Sequence, residues 1–152
     1  MDDFEVVEIL LVEDSEADAE LVLRALRKGG VVNKVMRVRD GVEALEFLFR
    51  EGAFAQRRGA QPRLVLLDLK MPRLGGIDVL RRLKADERTR VIPVVVLTSS
   101  AEEQDVAESY RLGVNSYLVK PVEFTAFTSV ITKAGLYWAV MNHAPTGPAR
   151  NT

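Results

Sequence analysis

The sequence predicts an α/β domain, a doubly wound parallel sheet of five strands with helices on both faces. Three observations carry this. Apolar runs of strand length alternate with amphipathic, helix-length stretches along most of the chain. The runs ending near Val12, Asp68 and Leu97 are almost uniformly apolar, as strands covered on both faces must be. Helix caps and glycine stops stand between them.

Val6–Val12, apolar apart from Glu8, is the first expected strand and ends at Glu13-Asp14. Ser15 is placed to cap the next helix, and Asp18 in its first turn suits the helix dipole. That helix carries Ala17, Leu21, Leu23, Ala25 and Leu26 to Lys28, and Gly29-Gly30 stops it. Lys34–Val38 alternates polar and apolar residues, the pattern of an edge or half-covered strand. Asp40 with Glu43 forms a capping-box pattern for a second helix through Phe49. Residues 51–62 are polar and punctuated by glycine, and we expect a solvated surface loop. Arg63–Leu67 is the third strand and ends on Asp68. Gly75-Gly76 opens a third helix through Lys84. Val91–Leu97 is the fourth strand, ending at Thr98. Ser100 with Glu103 is a second capping-box pattern, for a helix to Leu112 closed by Gly113. Val114–Val119 is the fifth strand, ending at Lys120-Pro121, and a last helix is expected from Glu123 to Met141. We expect one domain over residues 1–141 and a frayed tail over 142–152, which holds the chain's one histidine, His143, as a solvated residue.

Composition narrows the function. At 152 residues with 47% hydrophobic residues, the chain is long enough for one core without disulfides. With 21 basic and 22 acidic residues the net charge is −1, which offers no global field for nucleic acid. There is no cysteine, so cysteine-ligated metal is excluded. The start, Met1-Asp-Asp-Phe-Glu5, lacks a signal-peptide pattern, and no apolar run approaches membrane-spanning length. The expectation is a cytoplasmic protein with no membrane or nucleic-acid partner.

In a doubly wound sheet the strand ends lie along one edge, where ligands bind. Here those ends carry Glu13, Asp14, Asp68, Thr98 and Lys120. Each alone has a plain reading as a turn, a cap or a solvated end. Together they crowd carboxylates that repel one another unless protonated or bridged by a cation. Oxygen ligands without histidine or cysteine favour a hard ion such as Mg²⁺. A hydroxyl and an ammonium beside such an ion suit an incoming phosphoryl group, with Asp68 as nucleophile.

Leu11-Val-Glu-Asp14, Leu66-Leu-Asp68-Leu-Lys70-Met-Pro72, Leu97-Thr98-Ser99 and Tyr117-Leu-Val-Lys120-Pro121 resemble the motifs of two-component response-regulator receiver domains. The resemblance spans roughly residues 6–140. It implies a flavodoxin-like sheet of order 2-1-3-4-5 and phosphoryl transfer from a partner histidine kinase onto Asp68. It implies Mg²⁺, or Mn²⁺ in its place, held by Asp14, Asp68 and the Lys70 backbone carbonyl, with Glu13 acting through water. Lys120 would pair with the phosphoryl group, Thr98 would hydrogen-bond to it, and Tyr117 would be the aromatic that switches rotamer. A cis bond before Pro121 is part of the pattern. The segment from Asn33 to Ala44 and the long loop after the second helix resemble the stand-alone regulators of phytochrome-type kinases.

No output domain is expected after the last helix, so output would be a protein contact, or onward transfer to a histidine phosphotransfer protein. Leu136 and Val140, with Tyr137 beside them, lie off the core-facing stripe of the last helix, and we expect a homodimer through them. Two rival readings fail at named residues. A haloacid-dehalogenase-like phosphohydrolase needs an acid two positions after its nucleophile, where Lys70 stands. A nucleotide or flavin module needs a phosphate-cradling loop where Glu13-Asp14 would repel phosphate. A degenerate receiver, acting by contact alone, would lack one of Asp14, Asp68, Thr98 and Lys120.

Overall fold

A computed structural model describes residues 7–28, 34–99, 102–121 and 123–133. Five strands alternate with five helices: β1 (Ile9–Val12), α1 (Glu16–Lys28), β2 (Val35–Val38), α2 (Gly41–Phe49), β3 (Leu64–Leu67), α3 (Gly76–Ala85), β4 (Val94–Thr98), α4 (Glu103–Arg111), β5 (Ser116–Val119) and α5 (Phe124–Lys133). All strand pairs are parallel, in the order β2-β1-β3-β4-β5. This is the flavodoxin-like winding expected. The end of the last helix and Leu136, Tyr137 and Val140 lie outside the described residues, as does the tail.

Side-chain alternation splits the core in two. Leu10, Val12, Val65, Leu67, Val94 and Val96 point to the face covered by α2 and α3, where Phe47, Leu48 and Leu80 pack. Ile9, Leu11, Leu64, Leu66, Val95 and Leu97 point to the opposite face and meet Val22, Leu26 and Phe127 from α1 and α5. Every residue of β1, β3 and β4 is buried, whereas the edge strands β2 and β5 are partly open. The alternation seen in Lys34–Val38 is that edge position.

Several boundaries differ from the sequence reading. The fourth strand starts at Val94, not Val91. Pro93 has no N–H for a ladder, and residues 86–92 instead turn back on themselves. Arg90 donates to the Asp86 carbonyl and Ile92 to Thr89, and Val91 is left 79% exposed. The fifth strand starts at Ser116 because Asn115 caps its neighbour, its side-chain oxygen accepting from the Val94 N–H at 2.9 Å. Helix α4 begins at Glu103 with Glu102 as N-cap and no side-chain cap bond. Ser100, on which the expected Ser100–Glu103 box rests, lies outside the described residues.

Most of the loop over residues 51–62 is exposed, as expected, but Arg57 and Pro62 are buried and the loop also finishes α2. Arg50 takes a left-handed conformation (φ 58°) at the helix end, and its guanidinium donates to the Arg57 and Gly59 carbonyls. Arg57 is 2% exposed. It donates to the Phe47 carbonyl at 2.8 Å and to Gln61 Oε1 at 2.7 Å, and lies 4.1 Å over the Phe47 ring. Gln61 in turn donates to the Leu48 carbonyl. Carbonyls that a helix end leaves without partners are thus met by the loop itself.

Candidate functional site

Strand register brings the site together. Val12 pairs with Leu67, so Glu13 and Asp68 are the next residues of neighbouring strands, and the Asp68 N–H donates to the Val12 carbonyl at 3.0 Å. Thr98 pairs with Val119, and the Lys120 N–H donates to the Thr98 carbonyl at 2.8 Å. The Lys120–Pro121 bond is cis, as expected. Carboxylate oxygens of Glu13, Asp14 and Asp68 lie within 4.8 Å of one another. Glu13 and Asp68 are buried and Asp14 is exposed, so the cluster is open to solvent on one side.

Lys120 stands among these acids. Its Nζ is 2.5 Å from Glu13 Oε1, 2.9 Å from Asp18 Oδ2 and 3.4 Å from Asp68 Oδ2. Burial works against its charge, but the bonds to Glu13 and Asp18 and the Asp68 charge outweigh it and raise its pKa. Burial pushes Glu13 up to about 7, helped by the nearby Asp68 charge and opposed by the Lys120 and Ser15 hydrogen bonds. One ammonium does not fully compensate this group of acids. An all-oxygen cluster with surplus negative charge, one side open to water, fits a hard divalent cation. Asp14 and Asp68 are the side chains that would hold it, with Glu13 beside them to act through water.

Three residues at this edge escaped the sequence reading. Asp18 was expected to serve only the helix dipole, yet it shares Lys120; its place in the first turn of α1, at the same sheet edge, is the signal that was there. Ser15 does cap α1, accepting from the Asp18 N–H at 3.1 Å. Arg37 lies on β2 and donates to the carbonyls of Glu13 (2.9 Å) and Asp14 (3.1 Å), holding the acidic turn from below. Arg73 reaches Asp40 with two donors, at 2.7 and 3.1 Å. Burial would raise the Asp40 carboxyl, but those bonds and the Glu43 N–H hold it below its ordinary value. Asp40 caps α2 as expected, while Glu43 reaches back to the Arg39 N–H, one residue beyond the usual box.

Thr98 is fully buried at the end of β4. Tyr117 is half-buried on β5 and packs against the α2–α3 core. Lys70 is exposed, and its ammonium lies 3.2 Å from Asp105 on α4. A cavity of about 360 Å³ opens beside Lys120, lined by Asp18, Leu21, Val22, Ser99 and Pro121. Among the described residues, no helix is long and apolar enough to cross a membrane.

Known proteins are similar in sequence and fold. Residues 9–132 match the response regulator receiver domain. The probable methanogenesis regulatory protein FilR2 of Methanothrix harundinacea is 42% identical over 142 residues, covering 93% of this chain and 88% of that one. Among solved structures, the bacteriophytochrome response regulator RtBRR superposes with a TM-score of 0.82 at 50% identity, covering 93% of this chain and 86% of that one. The Mn(2+)-bound form of response regulator Rcp1 does so with a TM-score of 0.72 at 38% identity, covering 87% and 94%. With strand order, edge chemistry and sequence in agreement, the chain belongs to the response regulator receiver domain family and is a phosphoaccepting response regulator of two-component signalling.

Proposed function

We propose that Asp68 is the phosphoacceptor, that Mg²⁺ or Mn²⁺ is bound by Asp14 and Asp68 with the Lys70 carbonyl, and that the donor is a histidine kinase of phytochrome type. The observation that carries this reading is the placement of Asp68. It is the buried central-strand carboxylate that lies both within 4.8 Å of the other acids and 3.4 Å from the Lys120 ammonium. In the transfer, an Asp68 oxygen forms a bond to phosphorus as the donor's N–P bond breaks, and that electron pair returns to the imidazole nitrogen. A bound divalent cation supplies Lewis-acid neutralisation of the phosphoryl oxygens. Lys120 donates to a phosphoryl oxygen, and Thr98, beside it at the end of β4, gives a further hydrogen bond. Glu13 would act on the cation through water, and its bond to Nζ keeps Lys120 in place. A bacteriophytochrome response regulator and a Mn(2+)-bound regulator among the similar structures support the partner and the ion.

Intact mass after incubation with Mg²⁺ and a small acyl phosphate tests the site. Wild type should gain one phosphoryl group and Asp68→Asn none, with folding intact by circular dichroism. Stoichiometric labelling of Asp68→Asn would move the acceptor elsewhere.

A further inference from the structure

We infer that Arg73 and Asp40 are positioning residues for the phosphoacceptor loop: their ion pair holds residues 69–75 in the shape that presents Asp68 and the Lys70 backbone to a divalent cation. The inference rests on the reading of Asp68 given above and concerns residues outside the acidic cluster.

The loop is a short closed arch. The Gly76 N–H donates to the Leu69 carbonyl at 2.9 Å, and the Leu74 N–H donates to the Pro72 carbonyl at 2.7 Å. Its base is fixed by contact, since a Cβ at Gly76 would lie 2.2 Å from the Asp68 carbonyl oxygen. Its apex is the unstable part. Arg73 sits at φ 65°, a left-handed conformation that a residue with a Cβ seldom adopts unless its surroundings impose it.

The Leu74-to-Pro72 bond closes a three-residue turn centred on Arg73, and the two-pronged bond to Asp40, Nε to Oδ2 at 2.7 Å and the terminal nitrogen to Oδ1 at 3.1 Å, ties that turn to α2 from outside. Asp40 is a buried anchor: it is 7% exposed and already accepts the Glu43 N–H as N-cap of α2. The arch also touches α2 directly. A Cβ at Gly41 would lie 2.3 Å from the Leu74 carbonyl oxygen, so the arch cannot shift toward the helix. On its other flank, Lys70, about as exposed as Arg73, pairs with Asp105 at 3.2 Å through a single donor. The fork to Asp40 is therefore the stiffer tether of the segment that carries both Asp68 and the Lys70 carbonyl. Groups that hydrogen-bond a ligand set its direction, and their loss weakens metal binding without removing a ligand; Arg73 and Asp40 act one step further out, through the backbone of the loop that carries the ligands.

Two substitutions isolate the contact. Arg73→Gly removes the guanidinium while keeping the left-handed backbone accessible. Asp40→Asn keeps an N-cap for α2 while removing the charge. Each should raise the Mg²⁺ dissociation constant by about tenfold, read by calorimetry, and speed amide exchange within residues 69–75. Phosphorylation should recover at saturating Mg²⁺, and metal-free thermal stability should stay near wild type. The double variant should be no weaker than either single one, because both break the same contact. An unchanged Mg²⁺ dissociation constant in Arg73→Gly, or additive losses in the double variant, overturns the inference. Asp68→Asn measured alongside keeps the two questions apart: labelling there refutes the acceptor, whereas the Mg²⁺ titrations judge the arch.

Discussion

Replacing Arg57 by alanine should destabilise the protein by about 3 kcal/mol and leave Mg²⁺ binding untouched. The figure follows from what the side chain holds. Two short bonds from a charged donor, to the Phe47 carbonyl at 2.8 Å and to Gln61 at 2.7 Å, are each worth ~1 kcal/mol after the desolvation of the guanidinium is discounted. The third, to the Ala60 carbonyl at 3.4 Å, is long enough to ignore. The guanidinium over the Phe47 ring at 4.1 Å adds ~1 kcal/mol. For a domain of this size that corresponds to a fall in Tm of roughly 6–12 °C. Urea unfolding gives the stability and calorimetry the Mg²⁺ affinity, which should not change because the loop finishes the end of α2 far from its Asp40 cap. Arg57→Lys should recover less than half of the loss, since one ammonium cannot span acceptors arranged for a planar fork. A loss below ~1 kcal/mol in Arg57→Ala would show that the loop is solvated after all and that water replaces the arginine.

Asp14→Ala should abolish Mg²⁺ binding and phosphorylation and raise the metal-free Tm by ~2 °C, because it relieves like-charge crowding; unchanged Mg²⁺ titration would remove Asp14 from the ligand set. Phosphorylation should draw Thr98 inward and let the Tyr117 ring move into the space, so Tyr117 side-chain NMR signals should shift on phosphorylation, and unresponsive signals would make it a plain strand aromatic. Wild type should sediment as a dimer and a Leu136→Glu, Val140→Glu variant as a monomer. A wild type monomeric at high concentration, with and without phosphate, would leave that helix as core alone.

The fold was legible where burial is two-sided. β1, β3 and β4 announce themselves because nothing but apolar residues can sit between two helical layers. Their starts were less legible, since Val91 is apolar for no packing reason and Pro93 ends the ladder by chemistry that an apolar count does not see. The loop's hold on the end of α2 was hidden for a different reason. Arginine and glycine in a row read as solvated, and the sequence does not say that Arg57 will be spent on a helix carbonyl ten positions back. The available clue was that α2 ends in Phe49-Arg50 with no glycine there to satisfy its last carbonyls.

The site divides along the same line. Residues at strand ends could be placed from sequence, because parallel register fixes which ends are neighbours. Residues that reach the site by the length of their side chains could not, and Asp18, Arg37 and Arg73 are of that kind. Asp18 changes the chemistry most. The Lys120 ammonium has three N–H donors. Glu13 and Asp18 take two of them, at 2.5 and 2.9 Å, while Asp68 meets the third only at 3.4 Å. On the proposed function, a phosphoryl oxygen takes that third donor. On that same proposal, Asp68 is the carboxylate that would lose its negative charge as its oxygen becomes an acyl phosphate. Transfer would thus loosen the longest of the three contacts, at 3.4 Å, while Glu13 and Asp18 keep the ammonium where it was.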